Sequence, residues 1–261
     1  MNRVLGKKQN IANEDWIRAM DQIEELVPKK ELDARVKATV KEIKDKCKNK
    51  RAAYAWSAGK DSIVLGKICE AAGIRDCVLV RSNLEYTAFT DWIESHKPEN
   101  LTIINTGQDI EWLSKHPQML FPQDSKIAAQ WFHIVQHRGQ ARYYKDNSLD
   151  ILILGRRRAD GNYVGKGDNI YTNGQEITRY SPLADWTHEE LLAYIHYYQC
   201  ELPPIYDWKN GYLCGTHSWP ARQWTGSTLN GWKEVFEIEP AIVADAAKYF
   251  PEAKDVAEGR A

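Results

Sequence analysis

Five short apolar runs separated by segments with helical periodicity are the feature that most constrains the fold of this chain. The runs lie at 52–57, 77–82, 101–106, 150–155 and, more weakly, 177–182. Most are apolar without alternation, which is typical of parallel strands buried on both faces. Helical patterns lie between or after them, at 61–72, 86–96, 124–146 and 187–199. This order predicts an α/β fold with a doubly wound parallel sheet.

Further segments flank this core. Two amphipathic helices are predicted at 13–26 and 31–47, and a helix near 240–249 closes the chain. The segment 200–235 is rich in proline, glycine and tryptophan without a period, which predicts an ordered but irregular region. We therefore divide the chain into an N-terminal helical segment, a central α/β domain, and a C-terminal helix with an irregular tryptophan-rich extension packed on that domain, at 1–49, 50–182 and 183–261.

The composition limits the location and the partners. With 261 residues, 43% of them hydrophobic, the chain can bury a full core. Its apolar runs fall short of the ~18 residues that span a bilayer, and its start lacks the apolar stretch of a secretory signal. We expect a cytoplasmic protein without a membrane partner. Lysine and arginine number 35 against 36 acidic residues, so any site for a polyanion must be local.

The stretch SAGKDS lies where the first predicted strand ends and a helix begins. Its members are Ser57, Ala58, Gly59, Lys60, Asp61 and Ser62. Ligands of doubly wound sheets bind outside the carboxyl ends of the strands, where a helix N-terminus offers free N–H groups and partial positive charge. The small residues would let amides approach a phosphate, the serines would donate hydroxyls and the lysine would supply charge. The aspartate would hold a magnesium ion through water.

These residue types fit a pyrophosphate group. The loop is not a Walker loop, because the G-x-x-x-x-G-K-[ST] spacing is absent. A strand-to-helix turn that uses small residues for its geometry alone is the alternative interpretation.

Three stretches resemble one family and stand in its order over about residues 50–225. SAGKDS resembles the S-G-G-x-D-S pyrophosphate loop of the adenine nucleotide α-hydrolase-like (PP-loop) superfamily, with alanine at the first glycine position. LGRRRADG (154–161) is similar to the G-x-R-R-x-[DE] segment of the branch that holds the PAPS reductases and the small subunit of sulfate adenylyltransferase. The stretch 179–224 resembles that branch's P-L-x-x-W-T segment, its proline-rich turn and its G-Y-x-x-x-G-C stretch.

This resemblance implies a five-stranded parallel sheet of order 3-2-1-4-5, with the first and fourth strands adjacent at the topological switch point. The SAGKDS loop would hold the β,γ-phosphates of ATP, with Gly155 beside it. Arg157 or Arg158 would meet phosphate or the charge of the acceptor through bidentate hydrogen bonds. Arg156 is assigned to a solvated loop, because alternate side chains leaving a strand point to opposite sides.

The position of adenine in the family implies nucleotide contacts at Trp56 and at Ser82 with Asn83. The implied reaction is attack by an acceptor oxygen on the α-phosphate of ATP, with magnesium, which gives an adenylate and releases pyrophosphate. Lys60, Asp61 and Arg158 are its catalytic candidates, and no general base stands out. The acceptor is left open, with sulfate and nucleic acid both compatible with a transferase of sulfur metabolism or nucleic-acid modification.

Two alternatives remain: a thiol-dependent PAPS or APS reductase, and a nucleotide-binding regulator without turnover. The loops of PAPS reductases generally lack a Lys-Asp pair, and these enzymes use the cysteine of a C-terminal E-C-G-L-H. This chain keeps Lys60 and Asp61, and its nearest match, LCGTH (213–217), lacks the glutamate. Both departures favour ATP cleavage.

The cysteines show no paired spacing, which predicts reduced thiols rather than a disulfide framework or a zinc site. Sulfurtransferases of DNA phosphorothioation carry clustered cysteines for an iron–sulfur centre, and we expect none here. Cys214 is a candidate sulfur carrier, because His217 and Arg222 nearby in the sequence could lower the pKa of its thiol. A packed, inert cysteine is the alternative. A sulfur donor or a redoxin is a candidate partner, and a homo-oligomer is left open.

Overall fold

The computed structural model describes residues 4–6, 11–223 and 225–261. One sheet holds six strands: β1 (Ala52–Ala55), β2 (Cys77–Arg81), β3 (Leu101–Asn105), β4 (Ile151–Ile153), β5 (Ile170–Thr172) and β6 (Thr178–Tyr180). Their order is β3-β2-β1-β4-β6-β5. β1 pairs in parallel with both β2 and β4, and β4 pairs in parallel with β6.

The predicted doubly wound parallel sheet is confirmed, and the order 3-2-1-4-5 is present as β3-β2-β1-β4-β6. The predicted number of strands is wrong, because β5 adds an antiparallel edge strand beside β6. The turn between them is held by Asn173, whose Oδ1 accepts hydrogen bonds from the backbone of Gln175 and Ile177, each at 3.0 Å. The residues of β5, isoleucine, tyrosine and threonine, form no continuous apolar run of the kind that predicted β1 to β4.

In the first part of the chain helices lie at each predicted segment, the segment 13–26 is divided into two helices, and one further helix at 110–114 was not predicted. These helices are α1 (Asn13–Asp21), α2 (Ile23–Leu26), α3 (Lys29–Cys47), α4 (Lys60–Ala71), α5 (Thr87–His96), α6 (Ile110–Ser114), α7 (Ser125–Trp131) and α8 (Arg138–Asp146). Later in the chain follow α9 (His188–Tyr197), α10 (Gly211–Cys214), α11 (Thr228–Ile238), α12 (Pro240–Ala246) and α13 (Pro251–Ala257). A π-helical segment, Phe132–His137, joins α7 to α8.

The predicted irregular region ends earlier than expected, because α11 begins inside it. Ser227 caps this helix by accepting a hydrogen bond from the backbone of Asn230 at 3.1 Å. The buried residues Trp232 and Val235 lie three positions apart on its inner face. Short 3₁₀ turns and α10 occupy the stretch before it.

The chain divides into two compact units. The first comprises Met1–Leu79, His96–Thr102 and Gln140–Gly215. Within it α4 packs against β1, α3 and α9, and most of its surface is buried. The boundaries predicted from the sequence, 1–49, 50–182 and 183–261, stay predictions.

The second unit comprises Val80–Ser95, Ile103–Gly139 and Thr216–Ala261. Its core is aromatic: the ring of Trp232 lies 5.2 Å from Phe121, 5.4 Å from Trp219 and 5.4 Å from Phe250. Helices α11, α12 and α13 pack against one another around it. In the described ranges, the helices lack the combination of length and apolar character needed to cross a membrane.

Candidate functional site

The SAGKDS loop forms a tight turn between β1 and α4. Gly59 is the N-cap of α4, and Ala58 before it has a left-handed backbone with φ of 55°. The hydroxyl of Ser62 ties the turn together, because its Oγ accepts from the backbone N–H of Ser57 at 3.0 Å and donates to the carbonyl of Gly59 at 2.9 Å. The start of α4, with its partial positive charge, is thereby fixed at the carboxyl end of β1.

The side chain of Lys60, the first residue of α4, is buried rather than in solvent. Its side chain is 3% exposed, and its Nζ lies 2.6 Å from Oδ2 of Asp61 and 5.0 Å from the ring centre of Trp16 on α1. Its backbone N–H donates to the hydroxyl of Tyr206 at 2.8 Å. Burial raises the pKa of Tyr206, so this hydroxyl stays neutral. The amine of Lys60 is thus held beside Asp61 and Trp16 at the start of α4.

Arg157 is fully buried and holds three elements together. Its Nε donates to Oδ1 of Asp61 at 2.7 Å, and its Nη2 donates to Oδ1 of Asp160 at 3.1 Å. Its Nη1 donates to the carbonyl of Thr187, immediately before α9, at 3.0 Å. The guanidinium therefore links the start of α4, the turn after β4 and the start of α9. That Arg157 or Arg158 meets phosphate or the charge of the acceptor stays a prediction, and the printed bonds of Arg157 join it to protein groups.

His188 completes this cluster from the first turn of α9. Its Nδ1 lies 3.1 Å from Nη2 of Arg157, and the side chain is fully buried. Because a guanidinium only donates, Nδ1 must be the acceptor, which assigns the ring proton to Nε2. The imidazole is therefore assigned as neutral and serves to orient the arginine.

Gly155 lets the end of β4 approach the start of α4. A Cβ at this position would lie 3.2 Å from the carbonyl oxygen of Asp61. This contact brings the turn after β4 against the phosphate-type loop, as the resemblance implied.

The neighbours of Arg157 differ from each other in exposure. Arg158 is exposed, and its guanidinium bonds to the carboxylate of Asp185 and to Oδ1 of Asn169. The prediction that Arg156 belongs to a solvated loop is wrong: it is half-buried, and its Nη1 donates to the hydroxyl of Tyr171 at 2.8 Å. The reason is the additional strand β5, which lies beside β6 and supplies this tyrosine.

Ser82 belongs to the second unit, where a carboxylate holds it. The hydroxyl groups of Ser82 and Ser218 donate to Oε1 of Glu85 at 3.0 and 2.8 Å. The backbone N–H of Ser82 also donates to that oxygen, at 3.2 Å. Burial raises the pKa of Glu85 above its usual range, although the hydrogen bonds from the serines oppose this change.

Cys214 ends α10 and is a half-buried cysteine outside any disulfide among the described residues. Burial raises the pKa of Cys47 and Cys77 to about 11. Burial also raises the pKa of Cys69 and Cys200 above the ordinary thiol value. These four thiols are therefore poor nucleophiles near neutral pH.

His217 and Arg222, the two residues expected to lower the pKa of the Cys214 thiol, have partners within the second unit. The ring of His217 lies edge-on to Phe132 at 5.2 Å. Arg222 donates from Nε to Glu234 at 3.0 Å and from Nη1 to the hydroxyl of Tyr86 at 3.3 Å.

The carboxylate of Asp61 fits magnesium only as an outer contact. Each of its oxygens accepts a bond from a cation, Lys60 or Arg157, and its side chain is 24% exposed. The described residues include no group of three or more histidine, cysteine, aspartate or glutamate side chains placed to bind a metal. The Asp61 carboxylate fits a magnesium ion that is carried by the phosphates of a nucleotide and that Asp61 contacts through water.

Sequence reasoning missed the partners that surround the loop. They are Trp16, Asp160, His188 and Tyr206, which come from four separate segments. The signal for two of them was present in the quoted motifs, because Asp160 ends the R-R-x-[DE] pattern and His188 follows the W-T pair. Tyr206 follows the proline-rich turn of the quoted stretch 179–224, and Trp16 lies outside the quoted stretches.

The fold and this loop define a class of protein: a doubly wound α/β domain with a turn of small residues between the carboxyl end of its first strand and the N-terminus of the next helix. Residues 51–217, more than half of the chain, match the family model of the phosphoadenosine phosphosulfate reductase domain. The chain belongs to this family.

Two relatives illustrate the similarity. A phosphoadenosine phosphosulfate reductase of Emericella nidulans is 27% identical over 85 residues, which are 33% of this chain and 27% of that protein. The match thus spans just over a quarter of that relative. The crystal structure of a phosphoadenylyl-sulfate reductase from Candida auris, a phosphate complex, superposes with a TM-score of 0.51 at 15% identity, covering 69% of this chain and 92% of that one. This second likeness concerns the fold alone.

Proposed function

We propose that this chain is an enzyme that binds ATP at the Ser57–Ser62 loop and cleaves it between the α and β phosphates to adenylate an acceptor. The observation that carries the proposal is the Lys60–Asp61 ion pair at the start of α4, whose aspartate also forms an ion pair with Arg157. A reductase that accepts a ready-made adenylyl sulfate has no need of a charge built to stabilise departing pyrophosphate. Membership of the family supports an adenine nucleotide as the ligand.

In the proposed reaction an oxygen of the acceptor forms a bond to the α-phosphorus. The bond from that phosphorus to the bridging oxygen breaks, and its electron pair leaves on pyrophosphate. Amides of the loop, the hydroxyl of Ser57 and the charge of Lys60 would stabilise the leaving group. Magnesium carried by the phosphates would add positive charge there.

The other predicted residues of the loop and of the turn after β4 receive roles in this proposal. Ala58, Gly59 and Ser62 shape the turn, and Gly155 allows the turn after β4 to approach it. Arg157 is a positioning residue, because its bonds fix Asp61. Arg158, which is exposed, is the candidate for binding the charge of the acceptor.

A second candidate function is a thiol-dependent reductase of PAPS or APS. The observation that favours it is the description of both the family and its relatives as reductases of this kind. In that function Cys214 would be the reacting thiol, and a redoxin would supply the electrons. Nucleotide binding without turnover, as in a regulator, is the third candidate.

Product analysis separates these functions. The chain is incubated with magnesium and radiolabelled ATP, and separately with PAPS and reduced thioredoxin. We expect AMP or an adenylate with pyrophosphate in the first reaction and no sulfite in the second. Sulfite that is lost in Cys214→Ser, but retained in the control Cys200→Ser, would establish the reductase instead. Binding of nucleotide with no product in either reaction would indicate the regulator.

A further inference from the structure

Arg179 is an arginine inside the sheet whose charge is incompletely compensated. It occupies the centre of β6, opposite Leu152 of β4 and Tyr171 of β5. The residue is 4% exposed. Its Nε and Nη2 are buried and have no hydrogen-bond partner among the residues that the structure describes. Because unpaired buried charges are costly, such a group calls for a compensating anion.

A second guanidinium lies beside it. Arg156 follows β4 and donates from Nη1 to the hydroxyl of Tyr171, the residue directly opposite Arg179. Burial lowers the pKa of Arg156, and the charge of Arg179 acts in the same direction. Arginine nevertheless stays protonated in proteins. Two like charges are therefore held close together where water is partly excluded.

The hydroxyl of Ser181 and the exposed ring of Tyr163 complete the cluster. Ser181 is fully buried, and its Oγ also has no partner within the described part of the chain. Its backbone N–H bonds to the carbonyl of Asn169 at 3.0 Å, so the chain remains extended and Ser181 points to the same side as Arg179. The ring of Tyr163, 58% exposed, lies edge-on to Tyr171 at 4.9 Å and marks the solvent side.

We propose that Arg179, Arg156 and Ser181 form a second anion site, which binds a tetrahedral oxyanion: a sulfate or a phosphate group. Two guanidinium groups present paired N–H donors that match the oxygens of such a group, and the serine adds a hydroxyl donor. The site is separate from the Ser57–Ser62 loop and does not rest on ATP cleavage.

Isothermal titration with sodium sulfate and sodium phosphate, at ionic strength held constant with chloride, tests the site. Titrations are run with and without saturating α,β-methylene ATP, so that an oxyanion bound at the Ser57–Ser62 loop is recognised by its displacement. We expect binding that persists with the nucleotide and weakens ~10-fold or more in Arg179→Lys and in Arg156→Gln. The matched control is the exposed Arg142→Gln on α8, which has no assigned role and should change the affinity less than about 2-fold.

Absence of sulfate and phosphate binding to the wild-type chain, or wild-type affinity in both arginine variants, would overturn the proposal. Arg179→Lys keeps the charge and most of the volume, and its melting temperature without anion checks the fold. If it does not fold, Arg156→Gln and a crystal soaked in selenate, with anomalous density expected between the two arginines, decide the matter. If the nucleotide analogue fails to bind, this result contradicts the proposed function, whereas the comparison of sulfate and phosphate binding between the wild type and the arginine variants still tests the anion site.

Phenyl phosphate distinguishes the sources of the oxyanion. Tighter binding than that of inorganic phosphate, lost in Tyr163→Ala, would assign the site to the phosphoryl group of a larger ligand that reaches the exposed ring. Equal affinities would assign it to the free oxyanion. Either result supports a site for a tetrahedral oxyanion.

Discussion

Ala58 takes a backbone conformation that glycine adopts more easily. With φ of 55°, its Cβ is crowded against the neighbouring carbonyl oxygen. Glycine there would relieve this strain, although it would also make the unfolded chain more flexible. We expect Ala58→Gly to raise the free energy of unfolding by about 0.5–1 kcal/mol, measured by urea denaturation followed by tryptophan fluorescence.

The control for this substitution is Ala38→Gly, at an exposed position inside α3. In an ordinary helical conformation the same change should lower the free energy of unfolding by about 0.5–1 kcal/mol. Losses of equal size at both positions would contradict the strain that we assign to Ala58.

Lys60 and Asp61 are expected to control turnover rather than binding of the nucleotide alone. Lys60→Ala removes the charge at the start of α4, and Asp61→Asn weakens the partner that Arg157 and Lys60 share. Each should lower ATP turnover by ~10²-fold or more, measured as pyrophosphate release from variants whose circular dichroism matches the wild type.

Lys67→Ala provides the matched control on the same helix. Its side chain is 58% exposed and lies 3.8 Å from Glu70, so its loss should change turnover less than about 2-fold. Wild-type turnover in a folded Asp61→Asn variant would remove Asp61 from the proposed reaction.

At the level of elements, the end of β2 is joined to the segment before α5 by the buried carboxylate of Glu85. Burial raises the pKa of this carboxyl group above its ordinary value. A folded-state pKa above the unfolded one means that the native state binds the proton more tightly. The stabilisation is complete below the unfolded pKa and is lost as the pH rises through the folded pKa.

Glu85→Gln should therefore gain stability relative to the wild type as the pH rises from about 4.5 towards neutral. The amide oxygen of glutamine can accept the bonds from Ser82 and Ser218, all of which reach Oε1 in the native protein. Urea denaturation at a series of pH values measures the difference. The exposed Glu237→Gln on α11 is the control, and parallel curves for the wild type and Glu85→Gln would contradict the burial of this charge.

The predictability of elements from the sequence followed the strength of their apolar pattern. Continuous apolar runs marked β1 to β4 and helical periodicity marked the long helices, and these elements lie where the pattern predicts them. β5 was missed because its residues, isoleucine, tyrosine and threonine between two asparagines, form no continuous apolar run. The start of α11 was missed because glycine and tryptophan at 231 and 232 resemble the irregular stretch before it.

At the scale of the whole molecule, the sequence identified the loop but not its surroundings. SAGKDS and GRRRADG meet as expected, because the order of parallel strands decides which loops are neighbours. The orientation of each arginine side chain could not be predicted, since it depends on which hydrogen-bond partners lie on the neighbouring strands and helices. Arg157 donates hydrogen bonds to Asp61 and to the carbonyl before α9, whereas Arg156 donates to a tyrosine on β5, a strand that the sequence pattern did not reveal.

Phosphorus NMR of magnesium ATP incubated with the full chain, in the presence of sulfate and separately of bulk RNA, tests the central claim that ATP is cleaved between its α and β phosphates. We predict the resonance of pyrophosphate together with that of AMP or an adenylate, and loss of both in Lys60→Ala. ADP with inorganic phosphate, or ATP left intact in both reactions, would contradict the account.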